Sequence, residues 1–488
     1  MISPFPRRRN MKHMRTCPAS FVFLVSVVLL AFVVYVRFWY GAQDALDIAG
    51  ARIDGAGAAG HGEARKIGHR ISHDQAAAHM RDYYSVMFDA GSTGTRVHIF
   101  KFTQTNAAEL PQLAWEVFRF VKPGLSAYAD HPAESVASVD SLLEVAKSSV
   151  PQNHWRRTPV VLKATAGLRL LPESKSDALL QQMKKLFDYC PFNLPEDGIA
   201  IMDGIDEGIF SWMTINFLKG TLRLAQNQMV GILDLGGGST QITFIPHKEQ
   251  TLQAVPESYS TSFKMFNSTY KLYSHSYLGL GLMSARLSVL GGVESLAVEN
   301  GRRLLSPCLP SQYKSTWVHA GIPYKIGGVK GASFKLCSQR VEKIIEEKVD
   351  HPNELKEHVF YAFSYYFDRA VDVGLITDEN GGTLLVKNYE DKAKEVCDGM
   401  EFGNLASQPF LCIDLTYVST LLQRGFGFPK HMQLMNRCKE IVSWDERYLT
   451  CCFVNTFIEA LLYCTGVMRT ELKGSRKMFS RCSSVHSV

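Results

Sequence analysis

No Asp or Glu occurs in the first 40 residues, yet Arg7, Arg8, Arg9, Lys12, Arg15 and Arg37 do. Over the 488-residue chain the formal charge is +6, from 53 basic against 47 acidic residues; setting those six aside leaves 47 of each sign. The remainder is formally neutral and lacks the clustered basic footprint that nucleic-acid binding needs, so no nucleic-acid partner is expected. None of the spacings among the 11 Cys and 15 His is that of a zinc site, and the His residues read as solvated or structural. What is present is a chain with 46% hydrophobic and 11% aromatic residues, enough to fill two substantial cores.

Ala19 to Val36 is uncharged, almost wholly apolar and long enough to cross a bilayer. Basic residues crowd its upstream side and only Arg37 lies just downstream, which directs the amino end to the cytosol. The run is long for a cleaved signal peptide and no small-x-small cleavage site follows it directly, so the sequence predicts a signal anchor. The expected order is a cytosolic tail over 1–18, a transmembrane helix over 19–40, a Gly-, Ala- and His-rich stalk over 41–80, and a luminal remainder that stalk cleavage would release. Cys308 with Cys337 and Cys397 with Cys412 each flank a compact stretch and suit disulfides in that compartment, although spacing alone leaves the pairing open. Asn267-Ser-Thr is an N-glycan acceptor.

The chemistry lies in two segments, Asp89-Ala-Gly-Ser-Thr-Gly-Thr95 and Asp234-Leu-Gly-Gly-Gly-Ser-Thr240. Each ends an apolar run, Tyr84 to Phe88 or Met229 to Leu233, and apolar alternation resumes at Val97 and Ile99 or at Ile242 and Phe244. Each therefore reads as strand, small-residue loop, strand. One such loop is an ordinary turn. Two at strand ends, facing across a cleft, would hold a polyphosphate from both sides, with Asp89 and Asp234 directed at a divalent ion through its waters. Between them, Val160 to Arg169 reads as a strand and its exit, and Asp206-Glu207-Gly208 opens a largely buried helix. Alone, Glu207 would be a helix cap; beside two phosphate loops it is a candidate general base.

These segments, with Tyr277-Leu-Gly-Leu-Gly-Leu-Met-Ser-Ala-Arg286, resemble in order and spacing the signature patterns of the apyrase family, the ectonucleoside triphosphate diphosphohydrolases. The resemblance runs from about Tyr83 to Pro429, and Lys122-Pro-Gly-Leu-Ser-Ala-Tyr128 is similar to the Golgi and secreted nucleoside-diphosphatase subgroup. It implies an actin-like α/β fold of two ribonuclease-H-like lobes, expected over 81–208 and 209–430, with Ca²⁺ or Mg²⁺ and nucleotide in the cleft. Carried over, Asp89, Asp234 and Thr165 lie near the metal's waters, while Ser92, Thr93, Gly94, Thr95, Gly236, Gly237 and Gly238 cradle phosphate. Glu207 becomes the base, with Ser239 and Gln241 orienting the water, and Tyr365 or Tyr366 with Arg424 flanks the nucleobase.

The implied activity is release of the terminal phosphate of GDP, UDP or IDP, and more slowly of triphosphates, by a monomeric luminal domain on a single-pass type II Golgi membrane protein. Exopolyphosphatase, sugar kinase and a catalytically weak nucleotide-binding module share the paired-loop logic. The last arises because residues 431–488 depart from the family: Ser443-Trp444 is followed by Asp445-Glu446-Arg447 where Leu-Gly is the family pattern. Within that tail Tyr448 to Met468 reads as an amphipathic helix, since Glu459 is costly at bilayer depth.

Overall fold

The computed structural model describes residues 81–105, 111–222, 224–265, 268–346, 348–377, 381–400 and 408–436, all within the compact unit Ala76–Val488. The predicted anchor and stalk, Asn267 and most of the divergent tail lie outside the described residues. Among the described residues, no helix is long and apolar enough to cross a membrane.

Strands β1 (Arg81–Ala90), β2 (Thr95–Gln104), β3 (Gln112–Val121), β4 (Val160–Ala164) and β5 (Ile199–Ile201) form one sheet in the order β3-β2-β1-β4-β5. The first three pair antiparallel; β4 and β5 add in parallel beyond β1. Alternation along β1 splits its side chains between two cores. Tyr84, Val86, Phe88 and Ala90 share a cluster with Leu142, Leu179 and Met183 from helices α1 (Ser135–Ser149) and α2 (Glu173–Asp188), while Met87 faces the other way.

On that second face lies α3 (Gly204–Leu218), in which every residue from Glu207 to Asn216 is buried. Ile209, Trp212 and Met213 share one cluster with Met87, Phe100 and Val161 of the first sheet and with Ile232, Leu272 and Phe363 of a second. A helix apolar on all sides can only be stable when covered on all sides. The boundary expected at 208 falls inside this helix.

The chain continues through β6 (Gly231–Leu235), β7 (Ser239–Phe244), β8 (Ser260–Met265), β9 (Ser268–Leu278) and α4 (Leu282–Leu290). A three-stranded sheet follows, β10 (Leu304–Ser306), β11 (Lys314–His319) and β12 (Ile322–Gly328), then α5 (Phe334–Ile345), β13 (Phe360–Ser364), α6 (Tyr365–Asp372), β14 (Gly382–Leu385), α7 (Val386–Gly399), α8 (Leu411–Thr420) and β15 (Gln433–Asn436). The larger sheet has the order β14-β15-β13-β6-β7-β9-β8. Its inner five strands, β9-β7-β6-β13-β15, repeat the first sheet's pattern: antiparallel on one side of β6 and parallel on the other. The disulfides Cys308–Cys337 and Cys397–Cys412 both form. They occupy the core on the far side of the larger sheet and tie α5 and α7 to their surroundings.

Candidate active site

Both predicted hairpins exist, in matching register. In the first, Ala90 pairs with Thr95 and Asp89 with Arg96; in the second, Leu235 pairs with Thr240 and Asp234 with Gln241. Each turn is closed by one backbone bond, Gly91 N–H to Gly94 O and Gly236 N–H to Ser239 O, both 3.0 Å. The loops meet. A Cβ on Gly237 would lie 2.2 Å from Ser92 Oγ, and one on Gly281 would strike the backbone of Gly237 and Gly238 at about 2.5 Å. Glycine is required at 281, where a Cβ would meet backbone, while at 237 any larger residue would have to displace the Ser92 side chain.

The loops open onto a cavity of about 510 Å³ at the carboxyl ends of β1, β4, β6 and β13, where sheets of this kind receive ligands. Asp89, Ser92, Thr93, Thr165, Glu207, Asp234, Gly236, Gly237, Gly238, Ser239 and Tyr365 all line it. Arg96 Nη1 donates to Asp89 Oδ2 at 3.1 Å, while the buried Asp89 Oδ1 has no hydrogen-bond partner. Two carboxylates and a threonine hydroxyl on adjoining strand ends, with one carboxylate oxygen unclaimed, form an oxygen donor set suited to a hard divalent cation.

Glu207 sits near the amino end of α3, whose first turn is capped by the Asp203 carboxylate accepting from Ile205 N–H at 2.8 Å. Gly208 lets the helix seat against β7 and β9, since a Cβ there would come within 2.7 Å of Thr243 Oγ1. The Glu207 carboxylate accepts from Gln241 Nε2 at 2.9 Å and from Arg169 Nη2. Gln241 Nε2 also lies 2.8 Å from Ser239 Oγ and 3.0 Å from Ser276 Oγ. Burial pushes the Glu207 carboxyl up to about 7; the Arg169 guanidinium pulls against this, and Asp234 and Asp89 reinforce it. A buried carboxyl near neutrality, at the edge of an anion-binding cavity, is equipped to take a proton from water.

Several expected residues lie elsewhere. Gly94 and Thr95 belong to the first hairpin but not to the cavity wall, and Gln241 stands behind Glu207. Tyr366, next to Tyr365 on a helix, turns fully into the core, and its ring contributes nothing to the wall. Arg424 is also absent from the wall; its side chain is 75% exposed, with its Nε 4.0 Å from Glu342. No role for Arg169, Arg286, Asp368, Arg369 or Asp414 follows from the sequence alone. Arg286 Nε donates to Asp414 Oδ1 at 2.6 Å and Arg369 Nη1 to Asp414 Oδ2 at 3.0 Å, so one fully buried carboxylate holds two cavity-wall arginines. Arg169 could have been noticed as the only charge ending the Lys163 to Arg169 motif; Asp414 carries no local signal.

Two other groups bring potential metal ligands together among the described residues. Cys337, Cys397 and Cys412 are consumed by disulfides. Glu354, beside His247 and His358, already accepts from two backbone N–H groups, Thr251 and His358, which accounts for it as a structural cap.

A sequence profile described as the GDA1/CD39 (nucleoside phosphatase) family matches residues 75–450. The human protein named nucleoside diphosphate phosphatase ENTPD5 is 52% identical over 347 residues, covering 71% of this chain and 81% of that protein. Human ectonucleoside triphosphate diphosphohydrolase 6 is 53% identical over 350 residues, covering 71% and 72%. A solved structure of nucleoside triphosphate hydrolases from Neospora caninum superposes with a TM-score of 0.48 at 15% identity, covering 70% of this chain and 86% of that one.

Proposed function

This chain belongs to the GDA1/CD39 family of nucleoside phosphatases, and from that premise we propose that it hydrolyses the terminal phosphoanhydride of nucleoside diphosphates using Glu207 as general base. The observation that carries the reading is the position of the Glu207 carboxyl: raised to about 7, bonded to Gln241 and Arg169, and lining the cavity where two phosphate-type loops converge.

Ser92, Thr93 and the backbone of Gly236 to Gly238 bind the terminal phosphate and fix its orientation. A water seated between that phosphate and Glu207 forms the new P–O bond, the anhydride P–O bond breaks, the proton passes to Glu207 and the nucleoside monophosphate leaves. Ser239 and Gln241 orient the water and the base; the protein's work is positioning and charge placement, with no phosphoenzyme. Asp89, Asp234 and Thr165 would hold a divalent cation, Ca²⁺ or Mg²⁺, through waters, and its charge would offset that on the phosphate oxygens.

GDP, UDP and IDP are the proposed substrates, with triphosphates slower. The repeated strand pattern of the two sheets supports an actin-like architecture of two lobes around this cleft. The apolar run at 19–36 and the basic residues before it support a single-pass type II Golgi membrane protein with a luminal catalytic unit, taken to be monomeric and releasable by stalk cleavage. Phosphate release by the purified full-length chain, measured across nucleoside di- and triphosphates and long-chain polyphosphate with and without chelator, tests the activity. Chelator-sensitive release from GDP, UDP or IDP is expected; release from polyphosphate alone, or from none of them, contradicts it.

A further inference from the structure

Tyr365 and Asp368 lie one turn apart on α6, so both rise from the same helical face, and both line the cavity. Asp368 is exposed to the cavity and, among the described residues, makes no hydrogen bond and no ion pair. Arg369 beside it is already committed to Asp372 at 2.7 Å and Asp414 at 3.0 Å. Burial pushes the Asp368 carboxyl up to about 6 against the pull of Arg369, Arg96 and Lys122. Glu207 sits among other charges, Arg169, Asp234 and Asp89. The charges acting on the two carboxyls are thus different sets. The exposed Asp368 carboxylate is open to accept from a donor that a ligand brings into the cavity.

Resting on the nucleoside-diphosphatase reading, we infer that Asp368 selects the nucleobase, its carboxylate accepting the imide N–H that guanine, hypoxanthine and uracil present and that adenine and cytosine lack. Phosphate oxygens are anionic acceptors, which a carboxylate repels. Ribose hydroxyls can donate to it, but every ribonucleotide carries them, so they would not discriminate. The imide does: guanine and hypoxanthine offer N1–H and uracil offers N3–H, whereas adenine N1 and cytosine N3 place a lone pair there, facing the carboxylate as a second acceptor. The neighbouring Tyr365 ring supplies a flat surface on which any of these bases can stack. A site whose polar group is left unpaired by the wrong substrate discriminates far more strongly than an apolar one.

Equilibrium binding of nucleoside diphosphates to the full-length chain, with chelator present so that none is turned over, reads this assignment separately from catalysis. GDP, IDP and UDP are expected to bind about 10- to 100-fold tighter than ADP and CDP, the range for losing a hydrogen bond to a charged group. N1-methyl-GDP should fall to the level of ADP, and 2′-deoxy-GDP should match GDP. Asp368→Ala should bring the GDP-to-ADP affinity ratio to about one, and Asp368→Asn, which keeps an acceptor oxygen without the charge, should fall between. Equal loss for GDP and ADP in Asp368→Ala, full affinity for N1-methyl-GDP, or a penalty for 2′-deoxy-GDP that Asp368→Ala abolishes would overturn it. Base-selective binding without phosphate release would uphold this assignment and sink the diphosphatase reading; phosphate release from all five diphosphates at equal affinity would do the reverse.

Discussion

Glu207 is held between two opposing influences, a dry helix end that favours its neutral form and the Arg169 guanidinium that favours its charge. Arg169 comes from the motif ending β4, lies 3.4 Å from Ser239 Oγ and is not on the cavity wall, so it is placed to position the proposed base. Removing its charge leaves burial unopposed and raises the Glu207 pKa. Because the base must be ionised to act, the acid limb of kcat/KM in Arg169→Ala should move to higher pH, with a loss of about tenfold at pH 7 that recovers toward pH 9. Arg169→Lys should shift the limb less. A uniform loss at every pH would mean that Arg169 acts only in packing. The same carboxyl makes stability pH-dependent: raised from 4.5 to about 7, it contributes fully below 4.5 and loses that contribution as pH rises through 7. The cost above pH 7 is on the order of 3 kcal/mol. Glu207→Gln should therefore unfold at higher temperature than wild type at pH 8 but not at pH 4; equal shifts at both would contradict the linkage.

At the scale of the element, the hairpins were legible because their signals are local: an apolar run, an Asp, small residues, then resumed alternation, all within about a dozen positions. The all-apolar run of α3 likewise announced a buried helix. Which of two adjacent tyrosines faces the cavity depends on where α6 begins, and the run of aromatics around Tyr365 and Tyr366 does not mark that point. The Asp414 clamp was illegible for a different reason, since its arginines lie 128 and 45 residues away and meet it only after folding. Contact between the loops is likewise tertiary, and Gly237 tests it. Gly237→Ala places a methyl against Ser92 Oγ and close to the Thr93 methyl, so the phosphate-facing side chains of the first loop must shift. Overpacking of this kind costs about 1–3 kcal/mol. The expected result is a lower unfolding temperature together with a fall in turnover of about 100-fold or more, as misplacing reacting groups by an ångström does. Normal turnover in a destabilised protein would show that the loops need not meet.

For the molecule as a whole, the core beyond the larger sheet is joined to the cavity by α8. Cys412 at its start is bonded to Cys397 of α7, and Asp414 two residues on holds Arg286 and Arg369 at the wall. Replacing both cysteines with Ser should cost about 3 kcal/mol for a loop closed over 15 residues and raise KM for nucleotide more than it lowers kcat. Thermal unfolding and steady-state kinetics check the two parts; a lost disulfide with KM unchanged would break the proposed link between that core and the site.

The proposed reaction turns on Glu207 as the group that takes the proton from water. The most direct test compares GDP affinity and phosphate release in full-length wild type and Glu207→Gln, which keeps the size of the side chain and an acceptor for Arg169. Affinity within a few-fold of wild type, with release slower by about 10²- to 10⁴-fold, is the predicted result. Release at a near-normal rate would contradict it.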